Sequence, residues 1–456
     1  LSRTAPFLGM VGVNDWETNQ TPKNYREEIL WLDPNGTAPL LAISSRARKG
    51  EALDNGDFNW YVQALPERGG AMAGSGLYTD AGLTTAYTTG GVAGDTLFAK
   101  VVEALPAGYG HSFPGQAMVG EFREGMHVVL RSSVDDTVDV VARVTGRKVN
   151  GTSSYVAVKL LEADDNSSRG YDLSDADYIY IIGNANPMGG YPVDPVNYLP
   201  VSVNNHTQIF KEPLQFTGSD LETKLRTAKI REQKLKQKRF DTRLRHMLDI
   251  ETTLLFSILH ENTDTENSES EWSMMGIFEF VRTYASQNID NFQFNATYSG
   301  KKWLEKGKEW INTALNANFK YKPREGINPM DRLGLIGLDG LEALNNLALA
   351  HGQQELKPQA KAFGIQVVDW YTSGGVVHFM VHPLFNQNVT LNRSALIMHP
   401  RNLEYVWLRN RDTKRRDVTP KGFDGIKEEY MTECAFRYYN APMWSIIHGI
   451  GGDSLV

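Results

Sequence analysis

Between Lys224 and Arg245 the chain sets ten bases against two acids, Glu232 and Asp241, a local charge of 10 − 2 = +8 in a protein whose formal net charge is −7. The bases are Lys224, Arg226, Lys229, Arg231, Lys234, Lys236, Lys238, Arg239, Arg243 and Arg245. Dense positive charge with no base-reading pattern suits non-specific contact with phosphates. The competing reading is a solvated helix face that pairs with acidic neighbours, such as the five acids and no bases between His260 and Trp272. Catalytic spacings are missing. "YSGKKW" lacks the glycine that a phosphate loop needs five residues before Gly300, and no G-x-S-x-G elbow presents a nucleophilic serine. Gly74 and Gly76 in "AGSGLYTDAG" lack the strand-turn-helix setting of a dinucleotide site, so they read as loop glycines. His378, His382 and His399 invite a zinc reading, but a spacing of four along a strand separates His378 from His382 by about 13 Å, so no metal is expected. Asp164/Asp165 and Glu428/Glu429 read as solvated turns or strand neighbours rather than a glycosidase acid and base. No cofactor is implied.

The elements that would position the basic cluster follow from hydrophobic period. A helix is predicted from Ser219 to His260, capped by Ser219 or Asp220 with Glu222 in the first turn. Leu221, Leu225 and Ala228 form one apolar stripe, and Phe240, Leu244, Met247, Leu254 and Ile258 a second one, rotated about the axis; mainly Leu235 anchors the stretch between them. Upstream, Phe58, Trp60 and Val62 alternate along a strand that leads into a glycine-rich segment at 69–76, read as a flexible loop. Short β-branched runs broken by turn signals predict a compact all-β unit of about five strands over 116–184. Helices at 301–316 and 339–351 flank the buried strand "RLGLIGL". A hairpin turns at Ser373, Gly374 and Gly375, and strands close the chain.

With 456 residues, two or three packed units are expected, and 41% hydrophobic with 22% charged residues matches a folded globular chain. Cys434 is the single cysteine, which excludes an internal disulfide framework and favours reducing surroundings. No apolar run is long enough to span a bilayer and the first sixteen residues lack a secretory pattern, so a soluble protein without membrane contact is expected.

Arm, strand-loop, long helix, separate α/β unit and closing strands form an order that resembles the Hong Kong 97-type major capsid protein of tailed bacteriophages. "TAPLLAI" with "FNWYVQALP" looks like the passage from arm to E-loop, and "NNHTQIFKEPLQFTG" resembles the strand before the family's spine helix. "MLDIETTLLFS" is similar to the end of that helix. "MMGIFEFV" is similar to the Met-Gly-Gly-Ile that follows, with Gly276 alone remaining of the two glycines. "LRNRDTKRRDVTPKGFDGIKEEYMTECAFRYYNAP" looks like the closing P-domain strands.

The resemblance implies an α+β, Hong Kong 97-like fold with an all-β insert in the E-loop region. Its parts would be an N-terminal arm at 1–55, a first E-loop part at 56–115, the insert at 116–184 and an E-loop return strand at 185–218. A P domain with the spine helix would follow at 219–290, an A domain at 291–364, and closing strands shared by both at 365–456. It implies no catalysis. It implies self-assembly into the hexamers and pentamers of an icosahedral head, with Arg68, Gly69, Gly70, Gly74 and Gly76 as an intersubunit E-loop and the ten bases turned toward packaged double-stranded DNA or the scaffold that precedes it. Portal and cement proteins would be further partners, and the shell would be built in the host cytoplasm. The rival reading is a β-rich carbohydrate-binding or glycan-cleaving phage tail protein, suggested by aromatic content and the turn-rich β segment; it has no use for a long basic helix.

Overall fold

The computed structural model describes residues 39–41, 50–62, 68–101, 118–133, 138–164, 172–186, 188, 201–223, 231–263, 269–319, 331–351, 360–362 and 365–456. In chain order, β1 (Glu51–Leu53) and β2 (Asp57–Val62) precede β3 (Gly69–Tyr78), β4 (Thr96–Val101), β5 (Met126–Arg131), β6 (Asp139–Lys148), β7 (Tyr155–Leu160) and β8 (Tyr178–Asn184). Strands β3 to β8 close into a barrel ordered β3-β4-β7-β6-β5-β8. The alternation visible in the sequence explains its interior. Met126, Val128 and Leu130 of β5, Val140, Ala142 and Val144 of β6, and Val156, Val158 and Leu160 of β7 all point inward and are buried.

Closure corrects two expectations. Residues 116–184 hold four strands rather than five, and the remaining two come from upstream. The glycine-rich segment at 69–76, expected as a flexible loop, belongs to the ten-residue strand β3, in which Gly69 and Gly70 are buried. Glycine serves close approach and bending here. A Cβ on Gly69 would fall 2.6 Å from the Ile179 carbonyl oxygen. Gly74 and Gly76 take φ of 65° and 73° inside a register shift between Met72 and Leu77, which lets the strand bend around the barrel.

The barrel stands on a two-stranded ribbon. β2 leaves the body and β9 (Val201–His206) returns to it, antiparallel from Asp57↔His206 to Val62↔Val201. Phe58 and Trp60 face inward from that ribbon, and the Trp60 indole Nε1 donates to the Tyr438 carbonyl oxygen at 3.1 Å.

β10 (Gln208–Thr217) then runs into α1 (Gly218–Glu222) and α2 (Arg231–Phe256). The single helix predicted from Ser219 to His260 is therefore not continuous. Thr217, not Ser219 or Asp220, caps α1, its hydroxyl accepting from Asp220 N at 3.3 Å, and Thr223 leaves helical geometry with φ −70° and ψ 123°. At the far end the Ser257 carbonyl is taken by Gly276 N at 2.9 Å, and His260 already belongs to β11 (His260–Thr263). The second predicted stripe also shifts. Phe240 and Ile258 are 67% and 62% exposed, whereas Leu235, Thr242, His246, Ile250 and Leu254 form the buried seam. Leu221 of the first stripe is buried; Leu225 and Ala228 lie outside the described residues.

β11 pairs with β12 (Ser270–Ser273), followed by α3 (Ile277–Tyr284), β13 (Ile289–Asn291), α4 (Trp303–Phe319), β14 (Asp331–Ile336), α5 (Leu338–Ala350), β15 (Ala360–Ala362), β16 (Ile365–Tyr371), β17 (Val376–Val381), α6 (Val389–Asn392), β18 (Ala395–Met398), β19 (Leu403–Leu408), β20 (Lys414–Asp417), β21 (Gly425–Tyr438) and β22 (Ser445–His448). A five-stranded sheet runs β1-β19-β21-β10, with β20 added to β21, and α2 packs on one face of it. A seven-stranded mixed sheet runs β13-β22-β18-β14-β17-β16-β15.

The seven-stranded sheet is buried on both sides, which is why its central strands read as unbroken apolar runs. Ile336, Phe379, Ile397 and Ile447 face α4 and α5 around Trp310, while Leu335, Met380, Leu396 and Ile446 join the core beneath α2 and α3. The predicted hairpin at 373–375 joins β16 to β17, and the chain beyond 365 supplies strands to both sheets.

Candidate nucleic-acid interface

Helix α2 forms because twenty-six residues from Arg231 to Phe256 contain no proline or glycine and carry a seam of inward residues at helical spacing. That seam is partly polar. His246 Nε2 lies 2.6 Å from the Thr432 hydroxyl, and burial holds the imidazole below its ordinary pKa. One turn further, Glu251 is completely buried, and its carboxylate accepts from Leu40 N and Leu41 N at 2.7 Å each and from His382 Nε2 at 2.9 Å.

Outward lie the bases. Lys236, Lys238, Arg243 and Arg245 are exposed, Lys236 and Arg243 on one flank of the seam and Lys238 and Arg245 on the other. Arg245 approaches Glu212 at 3.8 Å with its side chain 77% exposed, a contact that leaves the guanidinium open to solvent. Arg239 differs from the other four. It clamps Glu428 with two bonds, Nε to Oε2 at 2.7 Å and Nη2 to Oε1 at 2.5 Å, and that carboxylate raises its pKa. Arg239 is thus a structural tie between α2 and β21 rather than a free cation. Arg231 and Lys234 sit on α2, while Lys224, Arg226 and Lys229 lie outside the described residues.

Of the acidic run proposed as a partner for these bases, Asp264 and Glu266 lie outside the described residues, and the bonds of Glu261 and Glu271 are local. Glu261 accepts from Trp272 Nε1 and Ser270 Oγ at 3.1 Å each, and Glu271 from Asn262, all within the β11–β12 hairpin.

The other candidate groups are dispersed into structural roles. His378 Nδ1 bonds Asp369 at 2.6 Å, His382 serves Glu251, and His399 Nδ1 accepts from Arg401 N at 3.3 Å. Among the described residues no group of three or more metal-ligating side chains assembles. Asp164 accepts from the Tyr87 hydroxyl at 2.5 Å, Asp165 lies outside the described residues, and Glu428 is held by Arg239. Arg68 begins the barrel, its carbonyl accepting from Ile181 N at 2.7 Å. The sequence reading missed the Glu251 node; an acid inside the apolar run "MLDIETTLLFS" was the available signal.

His399 yields a pH prediction. Burial, aided by Arg332 and Arg401, pushes its pKa from 6.5 to about 4. The unfolded chain then binds the extra proton between these values, so stability is complete above about pH 6.5 and declines as pH falls toward 4, by up to about 3 kcal/mol. Melting temperature against pH should show that decline, and His399→Asn should flatten it; an unchanged profile in the variant would refute the assignment.

Comparison with known protein families places this chain in the class of viral shell subunits. The family model described as SU10 major capsid protein matches residues 11–451. The chain belongs to the SU10 major capsid protein family, and its role is that of a major capsid protein of a tailed phage. It is similar to the major capsid protein of Pseudomonas phage PaMx41, at 21% identity over 376 residues, covering 82% of this chain and 75% of that one. Among solved structures, one from Mycobacterium phage Bobi is 10% identical, covering 96% of this chain and 93% of the other with a TM-score of 0.41. The satellite phage P4 procapsid with its size-determination protein is 11% identical, covering 60% and 80% with a TM-score of 0.37. The carbohydrate-binding alternative receives no support.

Proposed function

We propose that the chain tiles with copies of itself into the hexamers and pentamers of an icosahedral head, in a Hong Kong 97-like layout, and that α2 lines the inner wall against packaged double-stranded DNA. The supporting observation is that Lys236, Lys238, Arg243 and Arg245 are exposed on one helix of a protein that is acidic overall. Their charge is available to phosphates, or to an acidic scaffold before packaging, while the net negative charge discourages coating by loose nucleic acid.

In this reading residues 1–55 are the arm, the ribbon of β2 and β9 carries the E-loop, and the barrel at its end clamps a neighbouring subunit. Arg68, Gly69, Gly70, Gly74 and Gly76 then contribute through β3 as barrel wall rather than as a loose tip. The five-stranded sheet with α2 corresponds to the P domain and the seven-stranded sheet to the A domain. Assembly occurs in the host cytoplasm, with scaffold, portal and cement proteins as further partners, and no catalytic step is assigned.

Titration of a DNA duplex with the protein across a salt series tests the inner-wall assignment. Removing four phosphate contacts by changing Lys236, Lys238, Arg243 and Arg245 to alanine should reduce the slope of log K against log salt by about 3 to 4, with equal loss for unrelated sequences. A slope unaltered by the four substitutions would remove α2 from the interface.

A further inference from the structure

Among the described residues three strands of the five-stranded sheet, β1, β20 and β10, are paired on one side only, and the last two differ in charge. At one, β20 bonds only to β21 and exposes Lys414, Arg415 and Arg416. At the other, β10 bonds only to β21, and beside it the β11–β12 hairpin encloses a groove of about 830 Å³ lined by Ile209, Lys211, Glu269, Glu271, Trp272 and Glu433, with Thr207, Gln208 and Ser270.

Register places the two features on one face. Phe210 and Tyr430 have their rings near His246 of α2, so their side of the sheet is the helix side. Alternation then turns Ile209, Lys211, Met431 and Glu433 to the opposite side. Lys414 pairs with Met431 and Arg416 with Glu429, so both point to that same opposite side, whereas Arg415, across from Tyr430, turns back to within 3.9 Å of Glu428.

The groove is acidic and half apolar. Glu433 is engaged by Arg411 and Thr207 and Glu271 accepts from Asn262, and with Glu269 these three acids outnumber the one base of the lining, Lys211. Ile209, 49% exposed, and Trp272, stacked on His206 at 5.1 Å, offer a surface on which the methylene stems of long cationic side chains can lie. Across the sheet, Arg416 has no ion-pair or hydrogen-bond partner among the described residues, and Lys414 only the Asn410 carbonyl at 2.8 Å.

A surface that carries a groove of one sign and a strand of the other at opposite edges is complementary to a second copy of itself, because each copy offers the charge that the other's patch lacks. We propose that Lys414 and Arg416 of β20 dock into the groove between β10 and β12 of a second copy of this chain, against Glu269 and Glu271, forming a charge-matched junction between subunits of the shell. The occupant is a second copy because its own β20 supplies the matching charge and an unpaired edge, and because the shell role already requires borders between identical chains; the inference rests on that role.

The test is a charge swap in the full chain. Wild-type protein is first scored for particles by sedimentation and negative stain, which examines the shell role separately. Lys414→Glu with Arg416→Glu, and Glu269→Lys with Glu271→Lys, should each lower particle yield about tenfold, equivalent to roughly 1.4 kcal/mol per contact. All four changes together restore opposite charges across the junction and should recover most of the yield, with melting temperatures of the dissociated subunits unchanged. Wild-type assembly by either single-side variant, or no recovery in the combined one, overturns the junction. If wild type makes no particles, light scattering decides: association in the wild type that is lost in both variants and regained in the combined protein retains the junction without the shell, and a wild type monomeric at every concentration rejects both.

Discussion

Glu251→Ala will destabilise the protein by about 3 to 5 kcal/mol and release the helical turn at residues 39–41. Glu251 is fully buried on α2 and, among the described residues, has no Lys or Arg partner; its carboxylate accepts from two backbone amides and an imidazole. His382 Nδ1 accepts from Leu384 N at 3.3 Å, so the ring proton resides on Nε2 and is donated to Glu251. Truncation removes the acceptor of three donors, of which Leu40 N and His382 Nε2 are buried and cost about 1 to 3 kcal/mol each before relaxation. Glu251→Gln keeps one carbonyl oxygen and nearly the same volume, so its loss should be smaller than that of alanine. The node joins residues 40 and 41, α2 and the segment after β17, three parts of the chain far apart in sequence. Denaturant titration gives the energy and limited proteolysis the release. An alanine variant within about 1 kcal/mol of wild type, with the 39–41 turn cut no faster than in wild type, would show that the node is not an anchor.

The second large effect is expected from Gly276→Ala. A Cβ on Gly276 would stand 2.6 Å from the Ser257 carbonyl oxygen, 2.8 Å from Ser257 N and 3.1 Å from the Leu255 carbonyl oxygen. All three are backbone atoms at the end of α2, so no side chain can swing aside. The φ at this position is −89°, an ordinary value, and the restriction is purely one of approach. Gly276 N bonds the Ser257 carbonyl, and the Gly276 carbonyl accepts from Phe280 N at 3.0 Å, so the residue links the end of α2 to the start of α3. Forcing the two apart should cost about 3 kcal/mol. Gly183→Ala in the barrel, where an added Cβ meets nothing within 4 Å, is the control and should stay within about 0.5 kcal/mol. Equal melting temperatures for both variants would contradict the geometry.

Gly276 also explains a departure noticed in the sequence. Where the related motif carries two glycines, this chain keeps only the second. Met275 occupies the first place and is 3% exposed in the core beneath α2 and α3, so a large side chain has room there, whereas the next position has none.

What the chain's letters determined were features whose physics is local or sequential. Strands β5 to β8, β14 and β17, helices α4 and α5, and the hairpin at 373–375 follow from apolar period and turn residues within a dozen positions, and the order of short motifs along the chain carried the capsid resemblance. Tertiary structure alone decided the rest. The glycine-rich strand β3 shows no strand propensity and is held by pairing with β4 and β8, which closes the barrel two strands earlier than its composition indicates. Arg239 counts as one base among ten until Glu428, 189 residues away, removes it from the free charge. Glu251 acquires its meaning from Leu40 and His382, 211 and 131 residues distant. A bond's partner across such separations is set by how the sheets and helices pack, because burial leaves a polar group only the neighbours that packing brings to it.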